Sequence, residues 1–195
     1  MVLSQRFTEA LVWATELHQT QVRKGSGVPY IAHLLGVTSE ALEYGATEDE
    51  AIAALLHDAI EDCGGGAIAV EIRRRFGDGV AEIVEGCTDT DQTPKPPWRS
   101  RKEAYIAHLQ TASPSVRLVS AADKLYNARS ILKDYRLVGE EIWQRFTGGR
   151  EGSLWYYRAV VDTLTAIDDR AIVQELERVV QELERLTGPS VKNEI

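Results

Sequence analysis

The chain has 195 residues, of which 44% are hydrophobic and 27% charged, and its formal net charge is −8. This length suits one domain with a sizeable core, so we predict a single domain over residues 1–195. The acidic balance argues against a general affinity for nucleic-acid phosphate. Any surface that binds an anionic ligand must therefore be a local basic patch.

Cysteine content and hydropathy indicate where the protein works. Cys63 and Cys87 are the two cysteines, and no CxxC pair is present. This usage fits a reducing compartment and argues against a thiolate zinc site. No apolar run approaches the ~18 residues of a membrane span, and the first residues lack a basic region followed by an apolar core. We expect a cytoplasmic protein with no membrane partner.

In the first half of the chain, apolar residues recur at the three-and-four spacing of helix faces. A capping box joins Thr47 to Glu50, and Gly64 to Gly66 form a break. The predicted helices run over residues 4 to about 22, 33 to about 45, 47 to about 62, 67–76, and a fifth to about 88. A loop with two glycines and one proline separates the first two.

The second half begins with residues 89–99, which contain three prolines and form a predicted long loop, a candidate lid. A capping box from Ser100 to Glu103 predicts the start of the next helix. Ser113 and Pro114 predict an N-cap and first residue of a long helix. Later predicted helices cover residues 140–146, 154–167 and about 169–187.

No alternating strand pattern of useful length occurs, so we predict an all-α bundle of about eight to ten helices. The motif-bearing core spans about residues 5–165. The last helix carries one apolar face, which predicts either a scaffold role or a homo-oligomer contact. After Gly188 and Pro189, a polar and frayed tail is expected.

The stretch from His57 to Asp62 is the most informative in the chain. It reads His-Asp-Ala-Ile-Glu-Asp and ends an apolar run. On a continuous helix, His57 would lie above Glu61 and Asp58 above Asp62. Because burying unpaired charge costs several kcal/mol or more, this helix should not become acidic without a compensating cation. A metal ion is the simplest one.

Other polar residues interrupt apolar segments in the same way. His33 opens a predicted helix, and Asp123 and Asn127 share one face of another. Two imidazoles with two carboxylates suit Mn²⁺, Fe²⁺ or Zn²⁺ and predict metal-assisted hydrolysis. For His18 and His108, core or rim positions are favoured over ligation.

A basic pair, Arg23 and Lys24, precedes a Gly-Ser-Gly turn. Such a pair is usually solvated surface, but together with free backbone N–H groups it also suits a phosphate cradle. The residues alone leave both readings open.

Order and context identify a family resemblance. His33, the His57-Asp58 pair and Asp123 reproduce the H…HD…D signature of HD-domain metal phosphohydrolases. The chain also has Arg-Lys before Pro-Tyr-Ile-Ala-His, the HDxxED pattern at 57–62, and Ala-Asp-Lys-Leu-Tyr-Asn-Ala-Arg at 122–129. It therefore resembles the hydrolase domain of RelA/SpoT-type alarmone enzymes, in particular the stand-alone small alarmone hydrolases. The family usually has a proline where Leu34 stands here.

The resemblance implies one divalent metal per chain, usually manganese, with iron or zinc as alternatives. The implied ligands are His33, His57, Asp58 and Asp123. Glu61 and Asp62 are the implied catalytic carboxylates beside the metal-bound water. The implied substrate contacts are Arg23 and Lys24, with Lys24 near the base, and Asn127 and Arg129 at the sugar and phosphates.

The implied partner is a small phosphorylated nucleotide. The family reaction removes pyrophosphate from the 3′ position of guanosine tetra- or pentaphosphate and leaves GDP or GTP. One alternative is an HD phosphohydrolase acting on another nucleotide, such as an adenosine alarmone or the 2′-phosphate of NADPH. Another is a nucleotide-sensing module without turnover, against which the presence of both Glu61 and Asp62 argues.

Overall fold

A computed structural model describes residues 2–92 and 94–188 of the chain. Within these ranges the chain forms ten α-helices and one 3₁₀ helix, and its only β-pairing is an isolated bridge between Val22 and Pro29. The α-helices are α1 (Gln5–Leu17), α2 (Ile31–Glu43), α3 (Glu48–Leu56), α4 (Ala59–Cys63), α5 (Gly66–Phe76), α6 (Asp78–Cys87), α7 (Trp98–Leu109), α8 (Pro114–Val138), α9 (Gly149–Thr165) and α10 (Ala171–Thr187), and the 3₁₀ helix is Gly139–Arg145. The all-α prediction is confirmed.

Helix α8 lies at the centre of the bundle, packing against α2, α3, α6, α9 and α10. Its start follows the sequence signals, because the Ser113 hydroxyl accepts a hydrogen bond from the Val116 N–H at 3.2 Å and Pro114 occupies the first turn. Asp123 is buried at 7% exposure, in the middle of this helix. A charged group therefore lies within the core, where it needs polar partners.

The predicted third helix is interrupted, which corrects the expectation of one continuous helix to about Asp62. It begins as predicted, with the capping box between Thr47 and Glu50 formed. Its regular part then ends at Leu56, and α4 starts at Ala59. Between them, Asp58 has φ −97° and ψ −3°. On a regular helix, adjacent side chains point about 100° apart, so this local turn helps His57 and Asp58 face the same point.

Helix α1 ends at Leu17, about five residues before the predicted end near Val22. The chain turns at His18 and continues in extended form, with Arg23 N–H donating to Val28 O at 2.7 Å and Tyr30 N–H to Gln21 O at 2.9 Å. An extended pairing of this kind is incompatible with helix. It closes the loop that carries the basic pair.

The start of α7 is a second correction. The helix begins at Trp98 after Pro97, so Ser100 lies in its first turn and no capping box forms with Glu103. Glu103 instead accepts a hydrogen bond from Arg99 Nε at 2.7 Å. The earlier start places the Trp98 indole against Gly148 and Gly152. A Cβ would collide with the indole at Gly148 and would be in tight contact with it at Gly152. Tertiary packing therefore overrides the local cap signal.

The last helix, α10, packs its apolar face against α8 and α9, as expected for a scaffold element. A homo-oligomer contact stays a prediction. The polar tail predicted after Gly188 and Pro189 lies outside the described residues. Among the described helices, none combines the length and the apolar character needed to cross a bilayer.

Gly36 lies where α2 packs closely against Tyr126 of α8. A Cβ at this position would overlap the ring of Tyr126, which packs against the His33 imidazole and donates to Ala32 O at 3.2 Å. We expect Gly36→Ala to reduce the free energy of unfolding by about 1–3 kcal/mol because the core must shift to admit the methyl group. Urea denaturation measures this change. Gly66→Ala, with no atom within 4 Å of the added Cβ, is the matched control and should be neutral or slightly stabilising.

Candidate metal centre

Four side chains from α2, the α3–α4 turn and α8 converge on one point. His33 Nε2 lies 3.3 Å from His57 Nε2 and 3.3 Å from Asp58 Oδ2, while His57 Nε2 and Asp58 Oδ2 are 3.0 Å apart. Asp123 Oδ1 approaches the two imidazole nitrogens at 3.4 and 3.6 Å. All four sequence-predicted metal ligands are therefore brought together in space.

The donor chemistry of this group fits a metal ion. His57 Nδ1 lies 2.9 Å from Ala54 O, so this nitrogen donates its proton to the carbonyl. Nε2 is then the nitrogen that would bind a metal ion, which would displace the proton from it. A histidine held in this way by a backbone carbonyl is a common feature of metal sites. His33, His57 and Asp58 form a group whose ligand atoms all lie within 4.8 Å of one another.

The charge of the group also favours a cation. Burial opposes ionisation of Asp58 and Asp123, but His57 and His33 hold the pKa of Asp58 well below its ordinary value. Lys124, His57 and His33 do the same for the pKa of Asp123. Burial lowers the pKa of His33, whereas the two carboxylates raise the pKa of His57 well above its ordinary value despite burial. The two aspartates therefore stay anionic, and a divalent ion among them would neutralise their charge.

Three further side chains orient the aspartates. The Tyr30 hydroxyl donates to Asp58 Oδ2 at 2.7 Å, and burial together with the Asp58 carboxylate raises its pKa, which keeps the proton on Tyr30. Asn127 Nδ2 donates to Asp123 Oδ1 at 2.6 Å, and Lys124 forms an ion pair with the other Asp123 oxygen. Neither aspartate depends on the histidines alone for its position.

Glu61 and Asp62, the predicted catalytic pair, line the same cavity as the four converging residues, and this cavity has a volume of about 210 Å³. Their contacts differ. Glu61 Oε1 is paired with Lys95 Nζ at 2.7 Å, whereas Asp62 Oδ2 accepts from the neutral amide of Gln21 at 2.8 Å. Lys95 belongs to the segment predicted as a loop at 89–99, so this segment contacts the site at Glu61 and, at the longer distance of 3.9 Å, at Asp62 Oδ1.

A second cavity of about 430 Å³ adjoins the first. Both cavities share the lining residues Arg23, Tyr30, Lys102, Lys124, Asn127 and Tyr156. Lys24 lines the larger cavity only, among aromatic side chains that include Tyr126, Tyr157 and Phe146. The arrangement offers a polar end at the converging ligands and a mixed aromatic and basic end beyond them.

The structure brings three of the four predicted substrate contacts to these cavities. Arg23 and Asn127 lie together, joined by a hydrogen bond of 2.7 Å between the guanidinium and Asn127 Oδ1. Arg129 is the exception, because it forms ion pairs with Glu40 and Glu175 and lines neither cavity. This position does not support a nucleotide contact for Arg129, because α2 and α10 supply its partners.

The two remaining histidines behave as predicted. His18 is buried at 3% exposure and stacks on Tyr30, and His108 is exposed on α7. Sequence patterns did not single out Tyr30, Lys102 or Lys124 as site residues. Tyr30 and Lys124 lie inside the quoted motifs, but their roles follow from contacts across elements, which spacing along the chain does not encode.

The family is established by direct comparison. The chain belongs to the HD domain family, whose model matches residues 10–154. The resemblance inferred from the motifs is therefore confirmed, and with it the assignment of the protein as a phosphohydrolase of this family.

Individual relatives give a more specific comparison than the family model. The guanosine-3′,5′-bis(diphosphate) 3′-pyrophosphohydrolase MESH1 of Xenopus tropicalis is 40% identical over 126 residues, which cover 63% of this chain and 68% of that protein. A guanosine-3′,5′-bis(diphosphate) 3′-pyrophosphohydrolase of Aquifex aeolicus is 33% identical over 128 residues, covering 66% of this chain but 18% of that longer protein. A solved structure, described as a metazoan ortholog of SpoT that hydrolyses ppGpp, superposes with a TM-score of 0.76 over 94% of this chain and 98% of its own, at 24% identity. This last match shows a shared fold.

Proposed function

We propose that this protein hydrolyses the 3′-pyrophosphate of guanosine tetra- or pentaphosphate, releasing pyrophosphate and GDP or GTP in a metal-dependent reaction. The observation that carries this proposal is the convergence of two histidines and two aspartates at the polar end of a cavity that opens into a basic, aromatic one. The names of the relatives supply the choice of nucleotide.

The proposed metal ligands are His33, His57, Asp58 and Asp123. A divalent ion, with manganese first and iron or zinc as alternatives, would supply Lewis acidity toward water and a phosphate oxygen. Tyr30 and Asn127 hold the two aspartates in the orientation that points them at the histidines. The nitrogen and oxygen donor set, without a thiolate, supports this choice of metals.

The proposed catalytic carboxylates are Glu61 and Asp62. Each lines the cavity that holds the proposed ligands, so either could orient the attacking water and accept its proton. Hydrolysis breaks the bond between phosphorus and the 3′ oxygen of the ribose, and the water oxygen, with its remaining proton, joins that phosphorus. The proton that the carboxylate accepted passes to the departing 3′ oxygen, which restores the carboxylate. Arg23, Lys102 and Lys124 surround the route between the two cavities and would balance phosphate charge there.

A nucleotide panel tests the substrate. Purified protein with Mn²⁺ is incubated with guanosine tetraphosphate, the adenosine counterpart and NADPH, and products are separated by HPLC. We expect guanosine tetraphosphate to disappear with stoichiometric GDP and pyrophosphate. If it survives while either other nucleotide is cleaved, the substrate assignment is wrong but the phosphohydrolase assignment stands. Tight binding of all three without products would support a sensing module.

Arg23 provides a test of the cavity assignment. We expect Arg23→Ala to raise KM about 10- to 100-fold, because a charge-assisted hydrogen bond to phosphate contributes about 1.5–3 kcal/mol. The metal ligands are untouched, so bound metal should not change. Steady-state kinetics and metal analysis measure both. Arg74→Ala removes an arginine that is 67% exposed on α5 and is the matched control. An unchanged KM for Arg23→Ala would place the nucleotide elsewhere.

A further inference from the structure

A chain of hydrogen bonds reaches Asp62 from the core side of the fold. His18, at the end of α1, has Nδ1 2.6 Å from the Gln21 side-chain oxygen. The Gln21 amide nitrogen in turn donates to Asp62 Oδ2 at 2.8 Å. His18 is buried at 3% exposure, whereas the Asp62 side chain retains 25%. These hydrogen bonds therefore link the buried His18 ring to the Asp62 carboxylate at the edge of the cavity.

The direction of each hydrogen bond in the series His18–Gln21–Asp62 follows from the Asp62 carboxylate at its end. A carboxylate only accepts, so the Gln21 NH₂ group must face Asp62 and its oxygen must face His18. His18 Nδ1 must then carry a proton, which it donates to the Gln21 oxygen. The Cys63 Sγ lies 3.7 Å from His18 Nε2, 3.8 Å from Nδ1 and 3.7 Å from Leu17 O, to which it donates. The direction is therefore set by Asp62 and Gln21 and not by the thiol.

A contact outside this series of hydrogen bonds also holds the His18 ring. It stacks on the Tyr30 ring with centroids 5.2 Å apart and an interplanar angle of 20°. Tyr30 in turn donates to Asp58, one of the proposed metal ligands. A single buried ring therefore fixes one element of the metal centre and, through Gln21, one of the two carboxylates.

The two carboxylates of the pair are held in different ways. Glu61 is paired with the ammonium group of Lys95, which adds positive charge beside it. Asp62 Oδ2 is held by a neutral amide, and its Oδ1 is 3.9 Å from Lys95 Nζ, beyond hydrogen-bond distance. The Gln21 contact thus fixes the orientation of Asp62, and Oδ1 is left with a long ion pair to Lys95 and no hydrogen bond from it.

We propose that His18 and Gln21 are positioning residues for Asp62, acting together to aim its Oδ1 at the attacking water. This inference rests on the proposed function, because it requires Asp62 to act on that water. His18 sets the orientation of the Gln21 amide, and Gln21 sets the orientation of the carboxylate. Neither residue lies in the proposed metal ligand set.

The kinetic test uses Gln21→Leu, which removes the donor to Asp62 at similar volume. We expect kcat to fall about 10- to 100-fold, the usual effect of losing a partner that orients a functional group, with KM and bound metal within twofold of the parent. Gln19→Leu, an exposed glutamine in the same turn, is the matched control. A fall in metal content or a rise in KM of the same size as the loss in kcat would overturn the positioning role.

Conservative replacement of His18 separates positioning from packing. The Asn side-chain nitrogen can occupy the place of His Nδ1 and donate to Gln21, whereas Leu cannot. We expect His18→Leu to lower kcat as Gln21→Leu does and His18→Asn to restore most of it. Equal losses in both variants would mean that His18 acts only by filling space.

A double-mutant cycle with Asp62→Asn distinguishes failure of this inference from failure of the proposed function. If Asp62→Asn retains parental turnover, the catalytic assignment of Asp62 is wrong. If Asp62→Asn is impaired and Gln21→Leu reduces kcat by its full factor again on that background, the two residues act independently and the positioning role is wrong. We expect Gln21→Leu to have little further effect on Asp62→Asn.

A measurement without substrate tests the hydrogen-bond chain itself. The protein has four histidines, and ¹⁵N-detected ring correlations assign the tautomer of each. We expect His18 Nδ1 to carry a proton. A ring protonated at Nε2 alone would reverse the bond to Gln21 and overturn the inference, whatever the activity of the protein.

Discussion

Replacing His57 with alanine is expected to remove the bound metal and reduce turnover by more than about 100-fold. Losing a partner that merely orients a metal ligand costs about 10- to 100-fold, and His57 is itself a proposed ligand. Its Nε2 lies within 3.6 Å of Asp58, Asp123 and His33. These three residues are themselves proposed ligands, so none of them can supply the missing donor atom. The metal content, measured by metal analysis, should fall from about one equivalent per chain to a small fraction of that value.

Folding must be monitored in the same experiment, because His57 is buried at 3% exposure and its loss leaves Asp58 and Asp123 with fewer partners. Circular dichroism and thermal unfolding show whether the variant is folded, and His57→Gln preserves more of the side-chain volume. His108→Ala removes an exposed histidine from α7 and is the matched control. A folded His57→Ala protein with parental metal content would refute the proposed centre.

Changing Glu61 to glutamine is expected to reduce kcat about 10²- to 10⁴-fold, the usual contribution of a general base, while the metal remains bound. The amide keeps the size of the carboxylate but cannot accept a proton from water. The change also removes the ion pair with Lys95, so Lys95→Ala should be measured beside it. Steady-state kinetics and metal analysis give the two quantities.

Glu82→Gln, at an exposed position on α6, controls for the loss of one negative charge. If Glu61→Gln turns over like the parent, Glu61 does not accept the proton and Asp62 is left as the candidate. If Glu61→Gln loses its metal, the carboxylate supports the metal centre and its assignment to proton transfer is wrong.

The fold class could be predicted because helix faces and caps are local signals. Thr47 and Ser113 begin helices where their side chains predicted, since a hydroxyl three residues from a backbone N–H needs no tertiary partner. Ser100 fails for the opposite reason. The Trp98 indole fits against Gly148, just before α9, and Gly152 within it, and the observed N-cap is Pro97, three residues before Ser100.

The convergence of two histidines and two aspartates could be predicted because buried charge is conspicuous against apolar neighbours, and the family pattern supplied the grouping. The break at His57 and Asp58 could not be predicted, because both residues are compatible with a regular helix. The turn is needed only for their side chains to face the same point in the core. The position of Arg129 escaped for a similar reason. Its motif suggests the nucleotide, but Glu40 on α2 and Glu175 on α10 lie close enough to bind it.

The converging ligands come from α2, the α3–α4 turn and α8, far apart along the chain. An unfolded chain cannot hold these donors together, so an ion bound there stabilises only the native state. By mass action, free metal at 100 times its dissociation constant adds about 2.7 kcal/mol to the free energy of unfolding. Because proteases degrade opened chains, cellular metal supply would then govern how long each molecule survives as well as how fast it works.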